Sequence, residues 1–267
     1  MASTRSGFPA QSVEFDGRVI LVTGAGSGIG FEVARSLAES GASVLATDRS
    51  QEGLDRLSAE TTGALVSYAA DLLDPAAHRS IVQATLDAFG GRIDGFVNCA
   101  GIYESAAIED VSEASFDRII GINLRGPVFL MKELKPHLSN PSAVVLIASG
   151  TSIGPTGYQG VYAASKAGVA ILAASLAAEL APQGIRVNAV SPGFTDTPMI
   201  AASLEDEAMT AALTEATPDR SVGTPDDVAR VVAFLLSDAA RHVHGINLPV
   251  DGGFSQVTVT PALRIES

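Results

Sequence analysis

The chain has 267 residues, of which 46% are apolar and 18% charged, and its formal net charge is −13. This composition excludes an intrinsically disordered chain, and so acidic a surface argues against nucleic acid or an anionic membrane as a partner. With one cysteine, Cys99, no intramolecular disulfide can form.

The opening stretch, 1–16, has no apolar core segment. It reads as a flexible lead-in, not a secretory signal, so a cytoplasmic protein is expected. A first strand is expected over Arg18–Thr23 and a helix over Gly28–Ser40, joined by the stretch TGAGSGIG, Thr23–Gly30. Strand, glycine turn, helix is an arrangement in which the backbone at Gly24, Gly28 and Gly30 can approach a pyrophosphate while a helix N-terminus points free N–H groups at it. The spacing departs from G-x-G-x-x-G, so the turn alone also fits a simple tight connection.

The second strand, Ser43–Asp48, closes on Asp48. A carboxylate there, about twenty residues past the glycines, accepts hydrogen bonds from ribose hydroxyls and repels a 2′-phosphate, which predicts NAD as cofactor. Arg49 pulls the other way, since a guanidinium can pair with phosphate. A helix over Gln51–Glu60, a strand over Leu65–Ala70, a helix over Pro75–Phe89 and a strand over Ile93–Asn98 follow. Asn98, Ala100 and Gly101 then stand at the carboxyl end of a strand, where open α/β sheets bind ligands. Cys99 between them reads as a small buried hydrophobe.

A long helix is expected over Ser112–Leu138, a strand over Ala143–Ser149 and a helix over Val161–Ala181. The apolar stretch within that last helix, Ala167–Ala178, is too short and too weakly apolar to span a bilayer. Strands over Ile185–Val190 and Ile246–Val250 flank a helix over Pro225–Leu236. This alternation implies right-handed βαβ units. The expected fold is a single-domain, doubly wound (Rossmann) parallel sheet of about seven strands with helices on both faces, spanning 17–253, with a tail over 254–267. The segment 194–224 holds few strand formers and is expected to form short helices over a cleft, with Met199, Ile200, Leu204, Met209 and Leu213 as apolar lining candidates. Four histidines form no ligand set at metal spacing, and no metal is expected.

The strongest constellation lies in Tyr162-Ala163-Ala164-Ser165-Lys166. Helical spacing puts Tyr162 and Lys166 on one face, and Ser149 ends the preceding strand. A phenol, an ammonium and a hydroxyl suit proton transfer at an alcohol or carbonyl oxygen. Ionising a free phenol, pKa near 10, costs about 4 kcal/mol at neutral pH. An ammonium about 4 Å away at an effective dielectric of about 20 returns a similar amount.

Together these segments resemble the short-chain dehydrogenase/reductase family, from about Gly17 to Gly253. TGAGSGIG matches TGxxxGxG; NCAG matches NNAG with Cys99 in place of Asn; YAASK matches YxASK. Ser149 precedes Tyr162 at the usual interval, Asn123 matches the family's helical Asn, and SPGFTDTPM and VDGG match its later motifs. The resemblance implies that Tyr162 is the general acid/base, that Lys166 lowers its pKa and bonds the nicotinamide ribose, and that Ser149 holds the substrate oxygen. Asn123 is implied to position a water linking Lys166 to solvent. Gly24, Ser27, Gly28, Ile29 and Gly30 are implied to surround the pyrophosphate and the nearby ribose. Asp71 and Leu72 are implied at the adenine side, and Pro192, Gly193, Phe194, Thr195 and Thr197 at the nicotinamide end. A homotetramer built through the long helices is implied too.

The expected activity is therefore NAD-dependent interconversion of a secondary alcohol and a ketone. An NADP-dependent carbonyl or 3-oxoacyl-carrier reductase of the same fold stays open, as does a non-catalytic dinucleotide-sensing scaffold. A pure binder has no need of the Asn123–Ser149–Tyr162–Lys166 relay.

Overall fold

The computed structural model describes residues 15–257. The expectations for 1–14 and 258–267 lie outside the described residues. Seven parallel strands form one sheet in the order β3-β2-β1-β4-β5-β6-β7. They are β1 (Val19–Thr23), β2 (Ser43–Asp48), β3 (Leu65–Ala69), β4 (Ile93–Asn98), β5 (Leu138–Ile147), β6 (Ile185–Pro192) and β7 (Asn247–Val250).

The helices are α1 (Gly28–Glu39), α2 (Gln51–Glu60), α3 (Pro75–Phe89), α4 (Glu113–Ile120), α5 (Gly126–Leu134), α6 (Gly160–Leu180), α7 (Ala201–Leu204), α8 (Glu207–Ala216) and α9 (Pro225–Leu236). Strand alternation sends Ile20, Val22, Val44, Ala46, Val145 and Ile147 to one face, where α1, α2 and α9 cover them. Leu21, Leu45, Val144 and Leu146 go to the other face, under α3, α5 and α6. Both faces being buried is why the central strands read as unbroken apolar runs.

Three expectations need correction. The long helix expected over Ser112–Leu138 is α4, a π-helical turn over Gly121–Arg125, α5 and a 3-10 turn over Lys135–His137. Pro127 carries no N–H for an α-type bond back to Asn123, and the chain widens there, with Gly126 N–H donating to the Gly121 carbonyl. The lead-in expected over 1–16 includes Phe15, whose side chain is instead buried in the core and whose N–H donates to the Ser40 carbonyl at 2.8 Å. At the other end the domain does not close at Gly253: the Phe254 ring packs 4.7 Å from that of Phe194.

By length and composition α6 is apolar enough to cross a membrane. In the fold it packs on the sheet instead, with Val169, Ala173, Ala177 and Leu180 in the core.

Candidate active site

The sheet order reverses direction at β1, between β2 and β4. At such a switch point the two flanking connections leave to opposite faces and open a crevice at the carboxyl ends. Here it is a cleft of about 630 Å³ running from the glycine turn to the start of α6.

One half of the cleft is built for an anion beside a polyol. Gly24 has φ +68°, and a Cβ there would meet the Ala100 backbone nitrogen at 2.6 Å. Only glycine lets β1 and β4 close up at that point. A side chain on Gly30 would run into the Gly24 carbonyl. Ser27, the N-cap of α1, makes no side-chain cap bond, so the first-turn N–H groups face the cleft without that partner. Asp48 accepts from Gly26 N–H (3.1 Å) and Ser50 N–H (2.8 Å), which fixes its carboxylate at the rim of the cleft. Arg49 is exposed beside it, and Asp71 and Leu72 line the same end. A bare backbone cradle, a helix start and an oriented carboxylate fit the pyrophosphate and ribose of a dinucleotide.

The other half carries the proton-transfer groups. Ser149 follows β5, and its Oγ accepts from the Thr151 hydroxyl (3.0 Å) and N–H (3.3 Å), so its own proton is left to donate elsewhere. Tyr162 and Lys166 lie one turn apart on α6, both buried. Lys166 Nζ donates to the Ile147 carbonyl at 2.9 Å, and burial lowers its pKa from 10.5 to about 8. Burial raises the Tyr162 phenol above its ordinary value, a hydrogen bond with Ser149 opposes the rise, and neighbouring Tyr103 adds to it. The lowering expected from Lys166 is not among the causes of this shift, in which desolvation of the phenol is the largest.

Ser27, Ile29, Ala100, Gly101, Pro192, Gly193, Phe194, Thr195 and Thr197 also line this cleft, with Gly28 approached closely by the Thr197 methyl. Two expected site residues do not. Asn98 is fully buried beneath the floor, accepting from the Thr23 hydroxyl at 3.0 Å, while Thr23 in turn accepts from Ala100 N–H at 3.3 Å. It ties the ends of β1 and β4 together. Asn123 is buried in the π-helical turn, exchanging hydrogen bonds with the Ile102 backbone (2.8 and 2.9 Å) and donating to Ser165 Oγ at 3.0 Å. It braces the loop after β4 against α6 behind Lys166.

The sequence reading missed Tyr103, Thr151, Gln159 and Phe254, which all line the cleft. Gln159 lies one helical turn before Tyr162, a spacing that could have flagged it. Tyr103 and Phe254 come from a loop and the tail, and no periodicity marks them. Of the five apolar candidates in 194–224, Met199, Ile200, Met209 and Leu213 reach the cleft, while Leu204 does not.

Residues 24–255 match the family described as Enoyl-(Acyl carrier protein) reductase. The chain is 39% identical over 259 residues to levodione reductase of Leifsonia aquatica, covering 91% of this chain and 96% of that one. It is 37% identical over 246 residues to a 3-oxoacyl-[acyl-carrier-protein] reductase of Thermotoga maritima, covering 90% and 99%. The crystal structure of 3-ketoacyl-(acyl-carrier-protein) reductase from Brucella melitensis complexed with NADH superposes with a TM-score of 0.83 at 34% identity, covering 91% and 100%.

Proposed function

Because the chain belongs to the short-chain dehydrogenase/reductase family of oxidoreductases, we propose that it interconverts a secondary alcohol and a ketone with NAD(H), with Tyr162 as general acid/base. The observation that carries this reading is the convergence of Ser149, Tyr162 and Lys166 on the cleft that also holds the glycine turn. When bound, the dinucleotide supplies the acceptor or donor of the hydride.

Ser149, its lone pairs engaged by Thr151, donates to the substrate oxygen and holds it against the Tyr162 phenol. Tyr162 Oη takes the hydroxyl proton during oxidation and returns it during reduction. Lys166 favours the phenolate in that step, and its position behind Gly101 keeps the ammonium at the cleft wall. The apolar residues Met199, Ile200, Met209 and Leu213 of segment 194–224 act as a lid that excludes water from this step. Asp48 favours NAD, through ribose hydroxyl hydrogen bonds and repulsion of a 2′-phosphate. Arg49, on the same rim, is the observation that favours the rival NADP-dependent reductase. Exposed Phe129 and Ile171, on α5 and α6, support a homotetramer assembled through those helices.

The test is hydride transfer, followed by nicotinamide absorbance across cyclic, aryl and aliphatic secondary alcohols and ketones. Tyr162→Phe should lower kcat by about 10²–10⁴-fold while cofactor binding stays measurable. Turnover retained in that variant removes Tyr162 from the mechanism.

A further inference from the structure

Beside the start of α6, the cleft wall carries a polar pair that the proton-transfer chemistry does not use. The Tyr103 ring meets that of Tyr162 edge to face, with centroids 5.0 Å apart. Gln159 Nε2 donates to the Tyr103 hydroxyl at 3.1 Å, and both residues line the cleft. A phenol oxygen that accepts from Gln159 keeps its own proton free, and no acceptor for it is found among the described residues. The other end of the same amide, Gln159 Oε1, is buried without a hydrogen-bond partner. If the amide is turned end for end, Oε1 takes the Tyr103 proton and Nε2 becomes the unpartnered group. In either orientation the pair keeps at least one unpartnered group.

The Tyr103 hydroxyl, held by Gln159 in the cleft wall and with no acceptor of its own among the described residues, is the group that a ligand oxygen can complete. The surrounding wall explains why one polar spot matters. Met199, Ile200, Met209, Leu213 and Phe254 offer apolar surface, so a hydroxyl or carbonyl buried against them needs a polar partner in the wall.

We propose that Tyr103 and Gln159 form a specificity subsite for a second oxygen on the substrate. The preferred substrates are then secondary alcohols or ketones that carry a further hydroxyl or carbonyl near the reacting carbon. Tyr103 donates to that oxygen, and Gln159 orients the phenol. The inference rests on the alcohol–ketone reading above and narrows it.

The experiment compares cyclohexanol with its 1,2-, 1,3- and 1,4-diols, in turnover and in binding. Binding is measured by calorimetry on the NAD-loaded Tyr162→Phe protein, so it does not depend on catalysis. At least one diol should bind, and turn over by kcat/KM, about tenfold better than cyclohexanol. Tyr103→Phe should bring that ratio to within about threefold of unity, and Gln159→Met should reduce it, because each removes a hydrogen-bonding group without removing bulk. A residue that merely positions Tyr162 would change both ligands alike and leave the ratio intact. No diol preference in binding, or a preference that survives Tyr103→Phe, overturns the subsite. Absence of turnover with every alcohol and ketone, with the binding ratio present, overturns the parent reading alone.

Discussion

Lys166 is the residue whose titration the fold changes most legibly. Burial lowers its pKa from 10.5 to about 8, so between those values the unfolded chain binds more protons than the folded one. Stability contributed at this site therefore rises as pH climbs through that window, and at lower pH the buried ammonium is a cost. The difference in unfolding free energy between the wild type and Lys166→Met, from urea melts at pH 7.5 and 10, should shift in favour of the wild type at the higher pH; a pH-independent difference would show that the ammonium is not desolvated. Asp48 makes a second prediction. Asp48→Asn keeps an oxygen to accept from Gly26 and Ser50 but removes the charge. The NAD-over-NADP ratio of kcat/KM should fall about tenfold or more, and an unchanged ratio would assign cofactor choice to another group. Single residues also marked where reading from sequence stopped. The Tyr162–Lys166 spacing was legible because both groups lie on one helix. The shortfall in Tyr162 ionisation was not, because desolvation depends on what the rest of the fold packs around the phenol.

At the level of elements, the glycine turn and the helix caps are where local chemistry can be tested. Gly24→Ala adds a Cβ 2.6 Å from the Ala100 backbone nitrogen at a positive φ. It should destabilise the protein by about 1–3 kcal/mol and weaken dinucleotide binding, read by denaturant melts and by titration with NADH. Helix α9 begins with a reciprocal capping box: Thr224 Oγ1 accepts from Asp227 N–H at 3.3 Å and Asp227 accepts from Thr224 N–H at 2.8 Å. Thr224→Ala should cost about 1 kcal/mol, read by denaturant melts. Elements with strong local signals were readable. Helices α2, α3 and α9 and strands β2 and β4 lie where Ser, Asp and Thr caps, prolines at the helix start and apolar runs put them. The break between α4 and α5 escaped because its cause, the missing Pro127 N–H, acts within a pattern that otherwise keeps helical periodicity.

At the scale of the whole molecule, helices α5 and α6 both carry apolar side chains that the core does not cover. Ile171 is 71% exposed on α6 and Phe129 is 39% exposed on α5, apolar side chains of the kind that association buries. Sedimentation equilibrium should give a homotetramer, and the double substitution Phe129→Glu with Ile171→Glu should shift it to smaller species; a wild-type monomer at micromolar concentration refutes the assembly. The cleft is a property of this same scale. Its walls come from the ends of β1, β4, β5 and β6, the start of α6, segment 194–224 and Phe254. The order of amino acids was enough to specify a parallel sheet wrapped on both faces and a phenol, ammonium and hydroxyl assigned to proton transfer. Apolar periodicity, glycine turns and helical spacing act over a few residues and survive without knowledge of distant neighbours. Folding alone set Tyr103 against Tyr162, buried Asn98 under the floor and brought Phe254 into the wall. Those contacts join residues far apart in the chain, and only close packing of the completed core determines which surfaces meet.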